Sequence, residues 1–138
     1  MMKKRLLQLV TLCLVLTAFV SVLTACGAST LEEAVNKDKS VQKELDDVGK
    51  KNNMEINIKD NLVTYIYHYG SDVSEDSKSL YTSSFESAFT REKSTFVNLI
   101  KELEDKTDIS GIKMKIVVKD KSGDTLYNIT YDNKGIVK

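Results

Sequence analysis

Residues 54–69 of the chain read MEINIKDNLVTYIYHY. Apolar and polar side chains alternate on both sides of the central pair Asp60 and Asn61, which is typical of two β-strands joined by a two-residue turn. Pairing across that turn sets Ile58 opposite Val63, so these side chains share one face of a hairpin. By the same register Ile56 and Tyr65 share that face. The opposite face is expected to carry three further side chains, Thr64, Ile66 and His68.

A second alternating pattern lies near the C-terminus, in residues 112–118 and 126–131. It predicts another hairpin, with Gly123 in the left-handed position of the connecting turn. Between the two hairpins, Ser74 is a good N-cap for an amphipathic helix. Its apolar spacing stays in phase on both sides of Glu92, which predicts one uninterrupted helix of about 30 residues.

Two helical segments precede the first hairpin. Thr30 followed by Glu33 is typical of a capping box, in which the threonine hydroxyl and the glutamate carboxylate each take a free backbone amide. Asp38 is expected to cap a second segment that ends at about Gly49. The order helix, hairpin, helix, hairpin predicts an α+β fold of type αββαββ, with helices packed on one face of a four-stranded sheet.

The N-terminal residues have the three parts of a signal peptide. Lys3, Lys4 and Arg5 form a basic head, and a run rich in leucine and valine follows in residues 6–22. Residues 23–26, LTAC, are typical of a lipobox, in which small residues precede a cysteine that receives a diacylglyceryl group. The alternative is an uncleaved membrane-spanning helix, since the apolar run is near the about 20 residues that a span requires. Both interpretations place the following domain outside the cytoplasm.

The lipobox interpretation divides the chain into three parts. Residues 1–25 are the signal peptide, cleaved between Ala25 and Cys26, residues 26–29 are a lipidated cysteine with a short tether, and residues 30–138 are one small domain. Cleavage removes three basic residues and leaves 17 basic against 20 acidic ones, a net charge of −3. This net negative charge gives no indication of the basic patch that binds nucleic acid. We expect a monomer, held on the outer face of the cell membrane by its lipid.

Few residues are candidates for catalysis or for metal binding. His68 is the only histidine, so one chain cannot form a histidine-based triad or a multi-histidine metal site. Cys13 leaves with the signal peptide and Cys26 is consumed as a thioether, which excludes a disulfide and thiol catalysis. The acidic run at residues 102–108 lacks the ligand spacing and glycine of a calcium loop and is interpreted as a solvated helix end. We therefore expect no cofactor, no metal and no catalytic residues.

Tyrosines are the candidates for binding. Five of them fall on one face of the predicted strands and form a candidate aromatic binding face: Tyr65, Tyr67, Tyr69, Tyr127 and Tyr131. The alternative is that tyrosine is simply favoured in strands and that these rings pack beneath the long helix.

One set of residues extends over most of the mature chain: Thr30, Leu31, Glu32, Glu33, Val35, Asp60, Asn61, Ser94, Thr95, Phe96, Gly111 and Gly123. In these residues the chain resembles small lipoproteins of Gram-positive bacteria whose extracytoplasmic part is a domain of unknown function. The residues of this set are mostly helix caps and turns and carry no catalytic signature. Where such domains often have Asp-Pro, this chain has Asp38 and Lys39, which weakens the expected break between the first two helices.

The sequence favours a membrane-anchored surface lipoprotein that acts as a non-enzymatic binding or interaction module for an envelope protein, a peptide or a glycan. The first alternative is a cell-envelope hydrolase that uses carboxylates such as Glu55 or Glu92. The second is a purely structural envelope protein, which predicts neither a pocket nor a partner.

Overall fold

The computed structural model of the protein describes residues 28–137, which form four helices and a five-stranded sheet. The helices are α1 (Leu31–Asn36), α2 (Lys39–Lys51), α3 (Glu75–Arg91) and α4 (Lys93–Thr107). The strands are β1 (Met54–Lys59), β2 (Leu62–His68), β3 (Lys113–Lys119), β4 (Thr125–Asp132) and β5 (Gly135–Ile136). The chain therefore has the mixed α+β architecture that the sequence predicts.

The sheet has the strand order β1-β2-β3-β4-β5, in which β2 and β3 are parallel and the other neighbours are antiparallel. The expectation of four strands was wrong. The Asp132 carboxylate accepts hydrogen bonds from the amides of Lys134 (2.8 Å) and Gly135 (3.0 Å). These bonds turn the chain back on itself, so that Gly135 and Ile136 pair with the end of β4 as β5.

The turn at Asp60 and Asn61 sets the register of the first two strands, with Ile58 opposite Val63 and Ile56 opposite Tyr65. Asp60 has a φ of 52°, a left-handed value that aspartate tolerates better than most residues. The register divides the sheet into two faces. One face is covered by the helices and contributes the core.

The other face, which we call the open face, carries the alternate side chains of β1, β2 and β3. Among the described residues they are exposed or half-buried, apart from Val117, which is 9% exposed.

The expectation of one long helix was also wrong, because the helix ends and restarts at Glu92. This residue has φ −89° and ψ 9°, and it ends α3 and begins α4. A straight helix of about 30 residues rises about 45 Å, whereas a strand of eight residues spans about 27 Å. The break allows α3 to pack on β4 while α4 packs on β3, β4 and β5. The apolar phase continues through Glu92, so periodicity alone does not reveal the break.

The predicted caps of the first two helices are present. The Thr30 hydroxyl accepts a hydrogen bond from the Glu33 amide at 3.2 Å, and the Asp38 carboxylate accepts from the amides of Ser40 and Val41. The Glu33 carboxylate does not complete the expected capping box. It accepts hydrogen bonds from the amide and the hydroxyl of Ser29 instead of from the Thr30 amide. These bonds hold the pKa of Glu33 below its usual range.

Helix α2 continues two residues past Gly49, the residue at which the sequence suggested its end. A Cβ atom at this position would lie 2.6 Å from the carbonyl oxygen of Met54. Gly49 therefore allows the helix to pass close to the first strand.

We expect Gly49→Ala to destabilise the protein by about 1–3 kcal/mol, the usual cost of overpacking. This is the opposite of the stabilisation of about 1 kcal/mol that alanine gives over glycine in an open helix. Urea unfolding followed by circular dichroism measures the change. Lys50→Ala, at the neighbouring exposed position, is the control and should change stability little. A Gly49→Ala protein as stable as the wild type would show that the contact with Met54 is relaxed at little cost.

Candidate binding surfaces

The five candidate tyrosines do not form an exposed binding face. Tyr65, Tyr69 and Tyr131 are 3%, 7% and 0% exposed, and Tyr67 and Tyr127 are half-buried against the core. Their rings lie on the helix-covered face of the sheet, as the alternative interpretation proposed. The five rings therefore do not present one exposed aromatic platform to a ligand.

Three of these rings, those of Tyr69, Tyr127 and Tyr131, belong to an aromatic stack between the helices and the sheet. Phe96 stacks on Tyr131 with ring centroids 4.5 Å apart, and Phe89 stacks on Tyr127 at 5.8 Å. The Tyr131 hydroxyl donates a hydrogen bond to the backbone carbonyl of Phe89 at 2.7 Å, which satisfies this polar group inside the core. Burial raises the pKa of the Tyr127 hydroxyl, and the Glu86 carboxylate adds to the rise.

The only histidine lies on the open face. The His68 Nε2 atom is 3.8 Å from a carboxylate oxygen of Glu55, and the side chains of these residues are 38% and 61% exposed. Glu92, the other carboxylate considered for hydrolysis, lies at the junction of α3 and α4 and accepts a hydrogen bond from the Thr95 hydroxyl at 3.1 Å. Among residues 28–137 there is no group of three His, Cys, Asp or Glu side chains placed to hold a metal ion.

The acidic run at the end of α4 has a structural role that its sequence does not reveal. One Glu104 carboxylate oxygen accepts a hydrogen bond from the Gly111 amide at 2.7 Å, and the other accepts from the Asn133 side chain at 2.9 Å. Glu104 thereby ties the loop before β3 to the turn after β4. Glu102 forms an ion pair with Lys106 at 3.0 Å. Only part of this segment is thus the solvated helix end that the sequence suggests.

A groove that the sequence analysis missed runs between α2 and β1. Two adjoining depressions share Leu45, Asp46 and Ile56 in their walls. Ile58 extends the apolar surface towards one end and Lys50 lines the other. Strand β1 is an edge strand of the described sheet, so its outer side pairs with no other strand. The alternation of residues 54–59 predicts the strand but does not show which side of it stays unpaired.

The open face is the second surface available to a partner. It carries Lys59 on β1 and Lys113, Lys115 and Lys119 on β3, with Ile66 of β2 beside Val117 of β3. Ile66 and Val117 are not part of the hydrophobic core cluster. The open face therefore combines a basic border with an apolar centre.

The predicted lipidation site at Cys26 and the predicted cleavage between Ala25 and Cys26 lie outside the residues that the structure describes. The same holds for the other residues of 1–27. Within residues 28–137, no helix is both long and apolar enough to span a lipid bilayer.

The fold and these surfaces define a small α+β domain with an open sheet face and a groove at its edge strand. The profile of the family described as Domain of unknown function (DUF4854) matches residues 31–131. The chain belongs to this family. No curated protein and no solved structure matches the chain.

Proposed function

We propose that the protein is a lipid-anchored, extracytoplasmic binding module of the bacterial envelope that has no catalytic activity of its own. The proposal of an anchor is supported by the basic head, the apolar run and the LTAC sequence of residues 23–26. Two acyl chains hold a protein firmly on a membrane, whereas one gives only marginal binding. The folded domain begins at Leu31, so only a few residues separate it from Cys26.

The groove beside β1 is the single observation that supports a binding role. An exposed edge strand presents unpaired backbone amides and carbonyls, which can pair with an extended peptide as an added strand. Leu45, Ile56 and Ile58 provide apolar contacts along the groove, while Asp46 and Lys50 provide polar ones. We propose that the ligand is an extended segment of an envelope protein or peptide that lies along β1.

Selection of phage-displayed peptides against the purified protein tests this proposal. We expect enriched peptides to bind the wild type and to lose at least about tenfold in affinity on Leu45→Asp, because a buried, unpaired carboxylate is costly in an apolar contact. Isothermal titration calorimetry measures the affinity.

The matched control is Leu80→Asp, which places the same charge on an exposed leucine of α3 that is 65% exposed and lines neither depression of the groove. Circular dichroism must show that both variants remain folded. Equal binding by the wild type and Leu45→Asp would exclude the groove, and hydrolysis of a wall polymer by the purified protein would contradict a non-enzymatic role.

A further inference from the structure

The open face differs in charge from the rest of the domain. Residues 28–137 contain more acidic than basic side chains, yet the open face of β1, β2 and β3 carries four lysines, Lys59, Lys113, Lys115 and Lys119. The only acidic side chain on this face of these three strands is Glu55, which lies beside His68. The same side of β4 carries Asp132, which follows the buried Tyr131 and therefore lies next to Lys113. Four lysines thus face two carboxylates on the side of β1–β4 that no helix covers, so positive charge predominates there.

The apolar side chains of the open face lie among these lysines. Ile66 pairs with Val117, and Leu62 pairs with Lys113, at the centre and at one end of the face. Leu62 also lines a shallow depression together with Lys59 and Lys113. A lysine can place its apolar stem along such a surface while its ammonium group reaches the phosphates of lipid headgroups. This combination of side chains suits the interface of an anionic bilayer.

The chain enters the domain at the same end of the sheet. The Leu31 amide donates to the Asn61 side chain at 3.0 Å, and the Glu32 amide donates to the Asp60 carbonyl at 2.9 Å. The turn formed by Asp60 and Asn61 directly joins Lys59 to Leu62. The Asn61 carbonyl also accepts from the Lys113 amide at 2.9 Å. The start of α1 is thus fixed next to the end of the open face that carries Lys59 and Lys113.

The length of the tether places this end close to the membrane. Cys26 precedes Leu31 by five positions in the sequence. At about 3.5 Å per residue, a fully extended chain of this length spans about 18 Å. Ser29 shortens this reach, because its amide and hydroxyl both bond to Glu33. Lipid on Cys26 would therefore keep this end of the sheet near the membrane and would allow Lys59 and Lys113 to come within the about 8 Å over which the electrostatic attraction acts.

Four acidic side chains lie near this end and oppose the attraction. Asp132 of β4 lies next to Lys113, and Glu104 accepts a hydrogen bond from the Gly111 amide at 2.7 Å. The Asp60 carboxylate is exposed beside Lys59, and a Glu32 carboxylate oxygen accepts a hydrogen bond from the Asp60 amide at 2.7 Å. Lys115, one pleat further along β3 from Lys113, adds positive charge away from Asp60 and Glu32. The positive charge therefore increases from the turn along β3, which favours contact through the face and not through the turn alone.

We propose that the open face docks on the anionic surface of the membrane that holds the lipid anchor, with Lys59, Lys113 and Lys115 against the phosphates of the headgroups. The inference rests on the proposed lipidation of Cys26, which keeps the face at the bilayer. In this orientation β2 and β3 lie along the membrane and the helices point away from it. A lysine near an anionic surface increases binding about fivefold.

Amine labelling of the membrane-bound protein tests the docking. The full chain is purified from bacterial membranes and reconstituted in vesicles of phosphatidylglycerol with phosphatidylcholine, or of phosphatidylcholine alone. A water-soluble amine-reactive reagent then modifies accessible lysines, and mass spectrometry measures each site. We expect labelling of Lys59 and Lys113 to fall about fivefold in the anionic vesicles and to recover in high salt. The controls Lys43 and Lys50 are also exposed but lie on α2, and their labelling should stay constant.

A charge-reversal variant adds a second measurement. Lys113→Glu should restore the labelling of Lys59 in anionic vesicles, whereas Lys43→Glu should leave it low. If Lys59 and Lys113, like Lys43 and Lys50, are labelled equally in anionic vesicles and in phosphatidylcholine vesicles, the docking is overturned. A second outcome also overturns the docking. If the lysines are protected only when poly(glycerol phosphate) is added, and equally in vesicles of phosphatidylcholine alone, the open face binds a soluble polyanion and not the membrane.

The intact mass of the same sample separates this inference from the proposed function. A mass that includes a diacylglyceryl group on Cys26, together with unprotected Lys59 and Lys113, overturns the docking and leaves the anchor in place. A mass that shows an unmodified Cys26 overturns the anchor, and the docking falls with it.

Discussion

Replacement of Phe89 by alanine is expected to destabilise the protein by about 3–5 kcal/mol, the range observed when a buried phenylalanine is removed. Phe89 is 0% exposed and its ring packs between Phe96 and Tyr127. Its removal leaves a cavity at the centre of the aromatic stack. A domain of this size has a total stability of about 5–15 kcal/mol, so the loss is a large fraction of the whole.

Urea unfolding measured by circular dichroism gives the change in the free energy of unfolding. Leu80→Ala is the matched control, because Leu80 lies on the same helix but is 65% exposed. Surface substitutions of this kind usually change stability by less than about 0.5 kcal/mol. If Phe89→Ala unfolds at the same urea concentration as the wild type, the face of α3 that packs on the sheet has been assigned incorrectly.

The parts of the fold that the sequence predicts are those controlled by local interactions. Alternation across a two-residue turn determines that Ile58 pairs with Val63, because a shift of one residue would expose the whole apolar face. The caps at Thr30 and Asp38 depend on bonds that span only a few residues. Such features can be read from neighbouring residues without knowledge of the rest of the chain.

The features that the sequence does not predict depend on contacts between distant residues. The break at Glu92 separates α3, which packs on β4, from α4, which packs on β3, β4 and β5, and the helical periodicity does not encode these distant partners. Glu104 bonds to Gly111 and Asn133, seven and 29 positions away in the sequence. The second of these partners belongs to the turn that leads into β5. An acidic residue at a helix end gives no local sign of either interaction.

The candidate binding surface also depends on contacts between distant residues. Tyrosines on one face of a strand are compatible both with a ligand-binding surface and with burial, and only the position of α3 and α4 decides between them. Tyr131 is 0% exposed because Phe96 of α4 stacks on its ring. The groove beside β1 was missed for a related reason, since strand order determines which strand is at the edge. Local alternation does not encode strand order.

Replacement of Cys26 by serine is expected to abolish lipid attachment completely. The diacylglyceryl group forms a thioether with a cysteine sulfur, and a serine hydroxyl at the same position is far less nucleophilic than a thiolate. If the lipobox prediction is correct, the Cys26→Ser precursor should also keep residues 1–25, because the predicted cleavage site directly precedes the substituted cysteine. Metabolic labelling with a radioactive fatty acid measures attachment, and the intact mass of the purified chain measures cleavage.

Cys13→Ser is the matched control, since Cys13 is the other cysteine of the chain and lies inside the apolar run of the predicted signal peptide. Its loss removes a thiol without changing the LTAC sequence, so labelling and cleavage should both remain at the level of the wild type. Equal labelling of Cys26→Ser and wild type would contradict lipidation at this residue. Loss of labelling in both variants would instead show that the signal peptide as a whole, and not the Cys26 thiol, had been disrupted. An unlabelled wild type that keeps residues 1–25 would support the membrane-spanning alternative, in which the same domain is held at the membrane by residues 6–22 without lipid.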